Sequence, residues 1–492
     1  MLTTNRLFLT GTALALAASL SYCDNNTNTA ADMKTSTPDM TVGADMTTSA
    51  APTIASIAPS TGSNAGGGTL TITGTGFQTG ATVTVGGTAC GNPNVTATQI
   101  TCTIPAKATT CGAADVVVTN PDTQTVTNST GFAYRTSTVA FNAAVTPAPA
   151  TGTFPRRIIT ADFNGDGKMD IATANQTTNN VTVLLGQGNG TFTMMTGSPF
   201  GVGATPSDLV AADVTGDGKI DIVTVNATNI SVLPGTGTGF GTATAYNPTG
   251  LVGGTAIAVG DFNADTKLDL VVLGTSVANI NAFVLQNNGT GGYPITPTVS
   301  LTTGGTTPAD VEVADLDGDM KPDIVLTNST ANSISVFKAT GNNTFAAKVD
   351  YTTGTKPFGL RVVDLNGDGK LDVVTANNTS NNVSVLLGTG ATTAPFFGTK
   401  ADFATANTPE SVIVADLNSD GIQDIVTANA STNNWSYLQG MGNNAYAATV
   451  NTTAGTTAAS LVLVDLNADK LLDVAVANAG ASTLTVQTQK CN

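Results

Sequence analysis

The sequence predicts an all-β chain: a seven-bladed β-propeller behind a separate, smaller β domain. Three observations carry this. A nine-residue acidic stretch, Asp162-Phe163-Asn164-Gly165-Asp166-Gly167-Lys168-Met169-Asp170, recurs with first residues Asp213, Asp261, Asp315, Asp364, Asp416 and Asp465. Its spacing stays between 48 and 54 residues, a period that marks a repeat architecture. Short β-branched runs flank each copy, such as Arg157-Ile158-Ile159-Thr160 and Ile171-Ala172-Thr173-Ala174, and four such strand signals fit into each period. Four antiparallel strands in each of seven units build a closed ring without helices or long crossovers.

Composition narrows the chemistry. The formal charge is −16, which argues against nucleic acid as a partner. Of the 34 acidic residues, 22 lie in the seven acidic stretches, so the acidity is local. Seven divalent cations would bring the formal charge to −2. Histidine is absent, which removes His-based triads, His general bases and His metal ligands. Outside the stretches, residues 136–492 contain only Asp208, Asp310, Glu312, Asp350, Asp402 and Glu410 as acids.

Residues 1–22 have the pattern of a signal peptide, with Arg6 ahead of an apolar run from Leu7 to Leu20 that is too short for a stable span. Leu20-Ser21-Tyr22-Cys23 resembles a bacterial lipobox, although Tyr22 stands where that family has a small residue. The resemblance implies that Cys23 becomes a lipidated N-terminus, with plain secretion as the alternative. Residues 23–51 are mostly Asn, Thr, Ser, Ala and Asp and cannot bury enough surface to order themselves. They read as a tether with a reach on the order of 30 Å.

Residues 52–135 are expected to form the separate β domain. Alternation appears at Leu70 and Ile72, at Val83 and Val85, and at Val116 and Val118. Pro52, Ile57, Pro59, Gly62, Gly68, Leu70, Ile72, Gly74 and Phe77, followed by Val83-Thr84-Val85-Gly86-Gly87, Cys90, Ile100, Cys102 and Pro105, resemble the IPT/TIG family. That resemblance implies an immunoglobulin-like sandwich acting as a spacer or interaction module. Five cysteines suit an exported chain. Cys90 and Cys102 flank two short strands and are the expected disulfide. Cys23 is assigned to lipid, and the pairing of Cys111 with Cys491 is left open.

The acidic stretch itself has the chemistry of a calcium loop. Ca²⁺ takes six to eight oxygen ligands at about 2.3–2.6 Å, and alternate side chains on a curled loop can converge on one point. Asp recurs at positions one, five and nine; position three is Asn in five copies, Thr215 in the second and Asp317 in the fourth. Position twelve of the first copy is Thr173 and the flanks are strands, so this is not an EF-hand. The alternative is a set of metal-free Asx turns.

Asp-x-Asn-x-Asp-Gly-x-x-Asp between two short strands, repeated over residues 136–492, resembles the FG-GAP/VCBS repeats of integrin-α-like propellers. The resemblance implies that side chains one, three, five and nine and the carbonyl of position seven hold Ca²⁺. The implied ligands are Asp162, Asn164, Asp166, Lys168 and Asp170 in the first loop, then Asp213, Thr215, Asp217, Lys219 and Asp221 in the second. The third supplies Asp261, Asn263, Asp265, Lys267 and Asp269, and the fourth Asp315, Asp317, Asp319, Lys321 and Asp323. The fifth supplies Asp364, Asn366, Asp368, Lys370 and Asp372, and the sixth Asp416, Asn418, Asp420, Ile422 and Asp424. The seventh supplies Asp465, Asn467, Asp469, Leu471 and Asp473; Thr266 and Lys470 replace Gly at position six of the third and seventh loops. All seven are expected to bind, the seventh most weakly.

Further residues recur in the frame. Pro155, Pro206, Pro308, Pro357 and Pro409 precede the first Asp by seven, and Asn175, Asn226, Asn328, Asn377, Asn429 and Asn478 follow the last Asp by five. Trp435, the only tryptophan, aligns with third-strand valines and is expected to pack between blades, with a ligand platform as the alternative. Ser137-Thr138-Val139-Ala140-Phe141, within 136–146, is expected to close the ring as the fourth strand of the last blade, beside 481–488. Glu312 and Arg361 occupy equivalent inner-strand positions and should form an ion pair. The face opposite the calcium loops carries Asn- and Thr-rich turns and the charges after the repeated Pro. Arg157, Asp208, Asp310 and Glu410 are therefore the expected ligand-face residues.

The expected molecule is an exported, lipid-anchored monomer at the outer membrane or cell surface. It binds calcium and acts as a binding or adhesion module for a glycan or protein, touching the membrane by its lipid anchor only. The alternatives are a calcium-dependent polysaccharide lyase, for which Asp208 and Asp310 are the acids to check, and a purely structural surface protein.

Overall fold

The computed structural model describes residues 50–64, 66–107, 112–135, 139–274, 280–303, 307–418 and 420–490. The expected leader and tether, and Cys23, Cys111 and Cys491, lie outside the described residues. Among the described residues every regular element is a strand, and no helix is long and apolar enough to cross a membrane.

The N-terminal domain is a sandwich of two sheets. One sheet orders Thr53–Ala58, Thr69–Thr75, Gln99–Thr103 and Gly91–Val95, all antiparallel. The other runs Thr61–Ser63, Thr125–Arg135, Gly112–Thr119, Thr82–Val85 and Thr88–Ala89, with its first pair parallel. Period-two patterning puts Leu70, Ile72, Val83, Val85, Val116 and Val118 between the sheets. Cys90 and Cys102 form a disulfide within this core, their Cα atoms 5.7 Å apart.

The repeats form seven antiparallel sheets. Their inner strands are Pro155–Ala161, Asp208–Ala212, Gly254–Gly260, Pro308–Ala314, Pro357–Val363, Pro409–Ala415 and Ala458–Val464. The acidic loop joins each inner strand to a second strand, which begins at the loop's ninth residue, as in Asp170–Asn175 and Asp372–Asn377. These second strands are buried along their whole length because neighbouring blades cover both faces. Apolar residues gather at each of the seven blade interfaces. The set between the last and first blades joins Val462, Leu466 and Val486 to Ile158, Ile171 and Leu184. That contact closes the ring.

The seventh blade has three strands of its own, and the segment before the first blade supplies its outer edge. The register differs from the expected one. Ala140–Phe141 pairs with Gln489–Lys490, beyond 481–488, while 137 and 138 lie outside the described residues. The contact then continues to residue 151: Asn142 N–H donates to Thr488 O, Val145 N–H to Val486 O and Leu484 N–H to Pro149 O. The ladder is broken there because Pro147 and Pro149 have no N–H to donate. Trp435 locks this seam. It is 1% exposed, its ring meets Phe141 edge-on at 5.0 Å, and its indole N–H donates to Gln487 at 2.9 Å. It is a packing residue.

Candidate functional site

Each acidic loop is built by its own backbone. In the first, Asp162 accepts the N–H groups of Gly165, Asp166 and Gly167, while Asn164 accepts Asp166 N–H. Positions four and six adopt left-handed backbone, with φ of 76° at Gly165 and 80° at Gly167. The same geometry is imposed on Ala264 and Thr266 in the third loop and on Ala468 and Lys470 in the seventh. Met320, at position six of the fourth, shares it. Position two is apolar and buried at a blade interface in every loop, from Phe163 to Leu466, and this pins the loop to the ring.

Position nine is the most constrained residue. Asp170 is fully buried; one oxygen accepts Phe163 N–H at 3.0 Å and the other Gly186 N–H at 2.9 Å. The six counterparts are equally buried and are held the same way, for example Asp372 by Leu365 and Gly388 and Asp473 by Leu466 and Gln489. Burial pushes Asp170, Asp269 and Asp323 up to about 6, and Asp424 and Asp473 up to about 7. Asp221 and Asp372 are raised for the same reason. A buried carboxylate without a counter-charge is costly. Among the described residues only the fourth of these, Asp323, has a basic partner.

This donor set tests well against calcium. It offers hard oxygen donors, no nitrogen or sulfur ligands, and a buried negative charge that a divalent cation would satisfy. Among the described residues only the fourth loop, through Asp315, Asp317 and Asp323, already brings three carboxylate oxygens within 4.8 Å of one another. Lysines at position seven do not fill that role, because they turn outward to position five, as Lys219 does to Asp217 at 3.1 Å. Arg135, at the end of the sandwich domain, faces Asp416 and Asp469, whose charges oppose the downward push of burial on its guanidinium.

The expected ligand-face charges lie elsewhere than on an open surface. Arg157 reaches from the first blade to Asp208 of the second at 3.5 Å and Asp310 of the fourth at 3.1 Å. All three are buried, and the carboxylates also accept the N–H groups of Ile257 and Leu360. Arg156 pairs with Glu410 of the sixth blade and stacks over Phe358 of the fifth at 4.9 Å. These side chains start the inner strands, so they point toward the axis and bind the blades to one another. Asp208 and Asp310 do converge, as a two-acid enzyme requires, but Arg157 stands between them. The space beside them is about 30 Å³, bounded by Thr160, Arg361 and Ser460, and admits water rather than substrate. Glu312 and Arg361 pair at 3.0 Å, as their equivalent positions predict.

The Asn- and Thr-rich turns of this end are likewise committed. Asn175 is buried and donates to Asn180 and Thr182, while Asn179 accepts Thr205 N–H from the next blade. Asn381 and Asn433 repeat that staple onto Thr408 and Thr457.

An open groove of about 680 Å³ lies at the other end, between the second and third blades. Tyr246, Gln286, Asn288, Thr290, Thr296 and Thr298 line it beside Asp265 and Lys267 of the third loop. Tyr246 is half-buried and meets Tyr293 edge-on at 5.9 Å. None of these lining residues outside the loop was marked by a motif. The one signal is the repeat interval from Asp261 to Asp315, which at 54 residues is the longest.

Comparisons with known proteins agree with this architecture. The FG-GAP-like repeat family matches six overlapping windows, 162–224, 213–272, 261–326, 315–375, 364–427 and 416–476. The IPT/TIG domain family matches residues 52–134. No curated protein matches the chain. Among solved structures, BBS1N in complex with ARL6DN superposes with a TM-score of 0.50 at 10% identity, over 72% of this chain and 97% of that one. An Agrocybe aegerita lectin described as recognising non-reducing terminal N-acetylglucosamine gives 0.45 at 20% identity, over 77% and 94%. An auxiliary nutrient binding protein from Bacteroides ovatus gives 0.42 at 14%, over 90% and 98%. At such identities the likeness to BBS1N speaks for the fold alone.

Proposed function

The chain belongs to the FG-GAP-like repeat family, with an IPT/TIG domain ahead of the repeats, and from that premise we propose a surface binding module for an uncharged polar ligand of the glycan class. The observation that carries the ligand class is the groove between the second and third blades. Its volume is in the range of small-ligand sites. Amide and hydroxyl groups of Gln286, Asn288, Thr290 and Thr296 offer both donors and acceptors, and Tyr246 offers an apolar face for a sugar ring. The nearest charges, Asp265 and Lys267, pair with each other at 3.5 Å.

Calcium is part of the proposal. Side chains one, three, five and nine of each fitting loop would hold it, and bound Ca²⁺ would fix the loop's curl and neutralise its buried carboxylate. Export and a lipid anchor on Cys23 complete the reading; the support is the sequence of the leader and the tether-like composition after it.

The test is a glycan array probed with the full chain in Ca²⁺ and in EDTA, followed by calorimetry on any hit. Filling the groove with Thr296→Trp, at an exposed position, together with Gln286→Ala, should weaken a genuine hit by roughly tenfold or more. Unchanged affinity in a folded variant would move the ligand site elsewhere.

A further inference from the structure

The fourth loop departs from the other six at three places. Position three is Asp317 where five copies have Asn, position six is Met320, and the residue that leaves the third strand is Lys338. Lys338 precedes Ala339, whose N–H binds Asp323 as Gly186 N–H binds Asp170. By that register its counterparts are Leu185, Pro234, Gln286, Leu387, Gln439 and Thr488, none of them charged.

Its ammonium lies inside the acidic cluster. Nζ is 2.8 Å from Asp317 Oδ1, 2.8 Å from Asp319 Oδ2 and 3.6 Å from Asp323 Oδ1, and the side chain is only 9% exposed. Asp315, Asp317 and Asp323 bring carboxylate oxygens within 4.8 Å of one another, a spacing that would otherwise suit a metal ion. The charge count also closes. The fourth loop has one carboxylate more than the others, and Lys338 cancels it.

We propose that Lys338 is the built-in cation of the fourth loop and that this loop is closed to Ca²⁺. The ammonium donates a hydrogen bond to Asp319 and lies within ion-pair distance of Asp317 and Asp323, so its charge sits at the place where an ion would gather six or more oxygens. The two occupants exclude each other by volume and by like charge. The fourth blade then keeps its loop folded whatever the calcium concentration, while its neighbours depend on it.

This rests on the calcium reading of the other loops, and the experiment separates the two. Bound calcium is counted by native mass spectrometry on the full chain, on Lys338→Met, and on Lys338→Met with Asp317→Asn, which restores the common loop pattern. Six ions in the parent and seven in the double variant are expected. Seven in the parent, or an unchanged count in a double variant with the parent's circular dichroism, overturns the proposal. If no chain binds calcium, the calcium reading fails, and melting in EDTA decides Lys338 alone. Lys338→Met should then melt several degrees lower, with Asp317→Asn recovering part of the loss; equal melting temperatures overturn the proposal.

Discussion

At the loop end of the propeller, Asp170 and five of its counterparts are buried with backbone donors but, among the described residues, no cation of their own. At the opposite end, Asn175, Asn377 and Asn429 are equally buried, and neighbouring side chains meet their amides. Both sets bracket the same second strands, one residue at each end. On the proposed calcium reading the first set is completed from solution, whereas the second is completed from within the chain. An end that closes on itself has little left to offer a ligand, whereas an end that awaits an ion can couple folding to its surroundings.

The comparison is tested most strongly by removing the ion. With Kd near ~10⁻⁴ M, as in extracellular modules, ~1 mM Ca²⁺ stabilises by roughly 1.4 kcal/mol per site, or roughly 8 kcal/mol over six. Urea melts in Ca²⁺ and in EDTA measure it, and superimposable curves would show that the loops stand without metal. The pH dependence sharpens the point. Carboxyls raised to about 6 or 7 in the fold but ordinary in the unfolded chain hold more protons when folded. Stability in EDTA should therefore be greatest near pH 4 and fall as pH rises through 6 to 7, while excess Ca²⁺ should suppress that fall.

A smaller effect is expected at the self-satisfied end. Arg157→Met leaves Asp208 and Asp310 buried without their shared partner and should cost about 3–5 kcal/mol, equally with and without Ca²⁺. A loss that depended on calcium would mean the two ends are coupled. Smaller again is Asn377→Ala. It strands the groups of Thr375, Asn382 and Ser384 that meet the amide, at a cost of about 1–3 kcal/mol in denaturant melts. The smallest change should be a gain: Thr266→Gly relieves a left-handed residue at φ 68° and should stabilise by about 1 kcal/mol. No gain would show that the calcium loop's own contacts hold position six without strain.

The acidic loops, the blade frame and the Glu312–Arg361 pair were legible because each repeats, or sits at equivalent positions, in the sequence. The destination of Arg157 was not. A charge just after a repeated Pro reads as a loop residue, and its partners are the starts of strands about one and three repeats further on, which only ring closure brings together. Lys338 was hidden for a different reason. It lies outside the nine-residue motif, and only the register of the third strand delivers it to the loop. The groove residues were missed because a widened interval announces an insertion without saying where its side chains point.

The seam between the first and last segments of the propeller also sets a timetable. Asn142 and Thr488 meet although 346 residues separate them. A ribosome adding about 5–20 residues per second needs roughly 20 to 70 seconds to make the stretch between them. Throughout that interval the nascent ring is an open arc, its first blade presenting Ile158, Ile171 and Leu184 to water where Val462 and Val486 will later cover them. The ring can close only once the final strand is available to cover that apolar edge.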